Sequence, residues 1–92
     1  MKPALLIAAA ILAFAVAPAA QATGLTTCNS EPKSGWQSQD KLKTKLTGEG
    51  WNVRRIKVDG GCYEVYAINN KGERVEAYFH PVTFKHVLTS RR

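Results

Sequence analysis

Cys62-Tyr63-Glu64-Val65-Tyr66-Ala67-Ile68-Asn69-Asn70-Lys71-Gly72-Glu73-Arg74-Val75-Glu76-Ala77-Tyr78-Phe79 is the stretch on which the fold turns. It reads as two alternating runs around a turn. Tyr63, Val65 and Ala67 share one parity of the first run; Val75, Ala77 and Phe79 share one parity of the second. Side chains alternate faces along a strand, so each run offers one apolar face. Asn69-Asn70-Lys71-Gly72 supplies turn chemistry, with Gly72 suited to positive φ. A loop of Asn70 to Gly72 pairs Ala67 with Val75, Val65 with Ala77 and Tyr63 with Phe79. Cross-strand partners share a face, so this register gathers the apolar set on one side.

Upstream, Asp59-Gly60-Gly61 is a strong hairpin signal. Before it, Trp51 to Val58 is β-rich but changes phase: Trp51 and Val53 have one parity, Ile56 and Val58 the other. A bulge near Arg54-Arg55 brings both pairs inward. Ser38 to Thr47 reads as one short helix, with Ser38 as N-cap and Asp40 in the first turn. Leu42 and Leu46 make a single apolar stripe, and Gly48 is placed to end the helix in a left-handed conformation. So short a helix must pack on something. The expected architecture is α+β: one short helix on a three-stranded antiparallel meander, with strands one and three as its edges. His80-Pro81 stops the third strand. Pro81 to Leu88 is then a turn and a short extended or helical stretch, and residues 89–92 are expected to fray.

Residues 1–22 have secretory-signal architecture: a positive start at Met1-Lys2, an apolar run from Ala4 to Val16, and Ala20-Gln21-Ala22 as the cleavage pattern. The run is shorter than a bilayer span, and no second apolar segment follows. A domain of residues 36–88, preceded by an extended lead-in over 23–35, is therefore expected in the periplasm or outside the cell. Cys28 and Cys62 are the only cysteines. In an oxidising compartment they are expected to pair, stabilising so small a domain by about 3–4 kcal/mol. A lipoprotein reading of Leu25-Thr26-Thr27-Cys28 is weaker, because Thr27 is a poor residue before a cut and the cysteine lies far beyond the apolar run.

The chain carries 13 Lys and Arg against 7 Asp and Glu, a net +6. Loss of Lys2 with the leader leaves 12 against 7, or +5. That balance suits an acidic partner or an anionic surface. Acidic residues interleave with the basic ones from Asp40 to Glu76, and export adds to the argument against nucleic acid. No catalytic constellation emerges. Ser30, Ser34, Ser38 and Ser90 lie on loops or helix ends, and none sits in a nucleophile elbow. His80 and His86 lack a third ligand at metal spacing, so neither metal nor cofactor is expected. The face opposite the helix should be the wetter one. It carries Arg55, Lys57, Glu64, Tyr66, Ile68, Arg74, Glu76 and Tyr78, with Glu64 and Glu76 salted by Lys57 and Arg74. Arg55, Lys57, Tyr66, Ile68, Arg74 and Tyr78 form the candidate partner-binding face, since Tyr and Arg favour binding hot spots. An unpaired strand edge is a second candidate surface, because it can accept an extended peptide.

Trp36-x-Ser38, Gly50-Trp51-x-Val53, Gly61-Cys62-Tyr63-Glu64-Val65-Tyr66-Ala67, Gly72-x-Arg74-Val75-Glu76 and Pro81-Val82-Thr83 follow one another in an order that resembles the PepSY-like domains, small exported bacterial proteins among them. The resemblance covers about Trp36 to Val87. It implies a non-enzymatic binding module whose partner is an envelope or secreted peptidase, restrained or regulated by it. The alternative is an envelope adaptor or structural protein holding an anionic polymer or membrane surface. PepSY-like domains often close their last strand with Asp-Pro-x-Thr-Gly. Here His80 stands for the acid and Phe84 for the glycine, so the closing turn is expected to differ.

Overall fold

In the computed structural model, which describes residues 23–92, the helix α1 (Gln39–Gly48) precedes four strands: β1 (Asn52–Asp59), β2 (Cys62–Ile68), β3 (Arg74–Phe79) and β4 (His86–Arg91). They form one antiparallel sheet in the order β1-β2-β3-β4. The expected signal segment, residues 1–22, lies outside the described residues.

Local chemistry explains each element. Ser38 Oγ accepts the Lys41 N–H at 3.1 Å and caps α1. At the other end the left-handed residue is Gly50 (φ 91°), not Gly48. Gly50 N–H donates to Thr47 O and Trp51 N–H to Leu46 O, each at 3.0 Å, so a Schellman motif closes the helix two residues later than expected. Gly60 and Gly61, with φ of 61° and 79°, form a two-residue turn that pairs Asp59 with Cys62. The register of β1 on β2 slips between Val53 and Arg55, which leaves Arg54 as the bulged residue. Between β2 and β3 the register is Tyr63 with Phe79, Val65 with Ala77 and Ala67 with Val75, as the alternation requires. Asn69 Oδ1 accepts the N–H groups of Lys71 and Glu73, and Gly72 takes φ 80°.

Leu42 and Leu46 seat α1 on the apolar face, against Tyr63, Val65, Ala67, Val75, Ala77 and Phe79. Trp36, Trp51, Val53, Ile56 and Phe84 pack around this core. Val58, expected to point inward with Ile56, is 44% exposed, because it lies at the hairpin end of β1.

The fourth strand corrects the expected three. Thr89–Arg91, expected to fray, are the second half of β4, and Arg92 N–H donates to Arg74 O at 2.9 Å. The edges are therefore β1 and β4, with β3 internal. The turn that returns the chain is the one expected to differ. Phe84 adopts φ 63°, the left-handed conformation a glycine would take freely. Its N–H donates to His80 O at 2.7 Å, and His80 N–H donates to Lys85 O at 2.8 Å. His80 Nδ1 accepts the Val82 N–H at 3.1 Å. Its Nε2 lies 3.0 Å from Asn29 O.

The lead-in is tied to the β1–β2 hairpin. Cys28 and Cys62 form a disulfide, and Cys28 N–H donates to Gly60 O at 2.8 Å. A Cβ on Gly61 would sit 2.6 Å from Cys28 O, so glycine is required there for approach as well as for φ. Ser30 Oγ donates to Gly61 O, and Trp36 Nε1 donates to Ser30 O, each at 2.7 Å.

Candidate functional site

The sheet face opposite α1 differs from the expected wet surface. Glu64, Tyr66, Glu76 and Tyr78 project from it by parity, yet all four are buried. Arg55 and Arg74 are exposed, while Lys57 and Ile68 are half-buried. The expected partner-binding set is thus divided: a basic perimeter surrounds two tyrosines that a partner cannot reach directly. The misreading has a physical cause. Long cations fold over the face, which side-chain parity does not reveal. The charged groups of Arg55, Lys57 and Arg92 lie 5.8, 5.6 and 5.4 Å from the centre of the Tyr66 ring. Each places a cation where the negative face of the ring attracts it.

Beneath this cover the polar groups are held unevenly. Lys57 Nζ stands 3.7 Å from Glu64 Oε1, and Arg92 Nε stands 3.8 Å from Glu76 Oε2. Among the described residues neither Glu64 oxygen nor the Tyr66 hydroxyl has a hydrogen-bond partner. Burial pushes the Glu64 carboxyl above the ordinary glutamate range. Burial also raises the Tyr66 hydroxyl. Tyr78 is satisfied: its hydroxyl donates to Asp59 Oδ2 at 2.7 Å, and the Gly24 N–H donates to the same oxygen at 2.7 Å. The Gly24 N–H, then the Tyr78 hydroxyl, hold Asp59 below the usual aspartate range. Burial is the main cause that raises Tyr78.

At the end of this face distant from the disulfide, Arg54, Arg74, Arg92 and Ile68 line a cleft of about 130 Å³. Arg54 and Arg92 were not singled out by sequence reasoning. The signal for Arg54 was present in the phase change of β1, but that for Arg92 required knowing that β4 pairs with β3.

The remaining surface of note is β4. No further strand pairs with it among the described residues. Since Arg92 N–H bonds Arg74 O, antiparallel alternation directs the backbone of Ser90 and Leu88 toward β3. The N–H and C=O groups of Thr89 and Arg91 therefore face outward. Val87 beside them is 41% exposed. His80 and His86 do not converge: His86 stacks near Phe79, with ring centres 5.2 Å apart, and its Nε2 contacts Thr89 Oγ1. Among the described residues no three His, Cys, Asp or Glu side chains gather as a metal site. No helix there is long and apolar enough to cross a membrane.

These surfaces belong to a disulfide-bonded α+β module. The chain belongs to the peptidase propeptide and YPEB domain family, whose model matches residues 5–90. Domains of this family are generally propeptide-like or inhibitor-like and non-catalytic, and are typically extracellular or periplasmic. No curated protein and no solved structure matches the chain.

Proposed function

We propose that this chain is exported and, without catalysing a reaction itself, restrains an envelope or secreted peptidase by offering β4 as an added strand. Family membership supports a peptidase-related role. The observation that carries the mode of action is the outer edge of β4. It is a proline-free strand whose Thr89 and Arg91 backbone faces away from β3. Peptidase clefts hold extended chains by main-chain hydrogen bonds, and a free edge supplies them in the required spacing. Lys85 and Arg91, both exposed, bias that edge toward an acidic partner.

The oxidised chain, titrated against a panel of secreted and envelope peptidases, should give saturable inhibition of at least one. Thr89→Pro should abolish that inhibition while shifting the melting temperature little, because the N–H it removes faces outward. A panel untouched at high molar excess, or a Thr89→Pro variant that inhibits as well as the parent, would remove the reading.

A further inference from the structure

Arg74 and Arg92 oppose each other directly across β3 and β4, as the 2.9 Å bond from Arg92 N–H to Arg74 O requires. Ile68 opposes Arg74 on the other side, so the three form one row on the face opposite α1. Like charges directly opposed across strands destabilise a sheet. A third cation joins them. The bulge takes Arg54 out of the β1 alternation and delivers it to the same cleft. Among the described residues Arg54 and Arg74 have no acidic partner, and Arg92 has only Glu76, through Nε at 3.8 Å. Three arginines, from β1, β3 and the end of β4, thus line one cleft together with Ile68, an arrangement that costs stability unless something neutralises it. Local rules of this kind are broken chiefly at functional sites.

We infer that the Arg54–Arg74–Arg92 cleft is a binding site for a phosphate group. Guanidinium forks match phosphate oxygens in pairs, and three forks from three directions suit a tetrahedral anion better than a planar carboxylate. The phosphate is supplied either by a lipid headgroup or by a free phosphate ester. This site is separate from the β4 outer edge and does not depend on peptidase binding.

Inorganic phosphate, titrated at constant ionic strength into the oxidised full chain, should shift the amide resonances of Ile68, Arg74 and Arg92 saturably. Arg74→Gln and Arg54→Gln should each weaken binding at least tenfold, whereas Lys41→Gln on α1 should leave it unchanged. In phosphate-free buffer Arg74→Gln should melt no lower than the parent, since it relieves the Arg74–Arg92 repulsion, so lost binding will not reflect lost folding. Sedimentation with phosphatidylglycerol vesicles in excess of phosphatidylcholine vesicles, lost in the same two variants, assigns the source to a lipid headgroup. Saturable phosphate binding without that excess assigns a soluble ester. Shifts that do not saturate, or a Lys41→Gln loss equal to that of the arginine variants, would overturn the site.

Discussion

Glu64 shows how one side chain sets a pH dependence. In the unfolded chain it titrates near about 4.3, and in the folded chain above that, because burial disfavours its charge. Below the unfolded value both states hold the proton and the site costs nothing. As pH rises through the folded value, the buried carboxylate must ionise and stability falls. Glu64→Gln removes this penalty. Its stability relative to the parent should be near zero below pH 4 and should grow to on the order of 1 kcal/mol at pH 7, read by urea unfolding at a series of pH values. Asp59 has the opposite sign. Its folded value is depressed, so its contribution is present above about pH 3.9 and is lost as pH falls through the folded value. The acid limb of the same curves should therefore steepen below pH 4 and flatten in Asp59→Asn. Phe84 is instructive at this scale too. A non-glycine residue at φ 63° is unfavourable, and packing of its half-buried ring on the core offsets the strain.

At the scale of elements, α1 and β4 depend on the rest of the sheet in different ways. α1 is held by two buried leucines, Leu42 and Leu46, on a three-turn helix that would not persist alone. Leu46→Ala should cost about 2–5 kcal/mol in chemical denaturation, the range for emptying a well-packed site. β4 is held mainly by its ladder to β3 and little by burial. Proline should therefore distinguish its two sides. At Ser90, whose N–H serves that ladder, it should melt β4 and raise amide exchange across His86–Arg91; at Thr89 it should not. The β2–β3 pairing was legible in sequence because both strands alternate cleanly and Asn69 to Gly72 dictates the loop. β4 was not. His86-Val87-Leu88-Thr89-Ser90-Arg91 has no alternation, because the register shifts between Tyr78 and Phe79 and an edge strand buries few side chains.

For the whole molecule, the disulfide joins residues 34 apart and fastens the lead-in to the first hairpin. Closing a loop of that length removes about 3–4 kcal/mol of denatured-state entropy on the chain-entropy estimate. Replacing Cys28 and Cys62 by Ser should lower stability by that order. It should also loosen Gly24 from Asp59, so that the Asp59 titration moves back toward its ordinary value, measurable by carboxyl NMR. The β2–β3 register should survive, since none of its contacts passes through Cys28.

Taken by itself, the order of residues determined the helix and its leucine stripe, the bulge, both hairpin turns, the register of β2 on β3 and the two cysteines. All of these are local or rest on parity, which chain geometry imposes. Tertiary structure decided the fourth strand, the burial of Glu64 and Tyr66 beneath folded-over cations, and the meeting of Arg54, Arg74 and Arg92. Those features join residues far apart in sequence, and their geometry depends on which strand lies beside which, a choice made by the packing of the whole sheet.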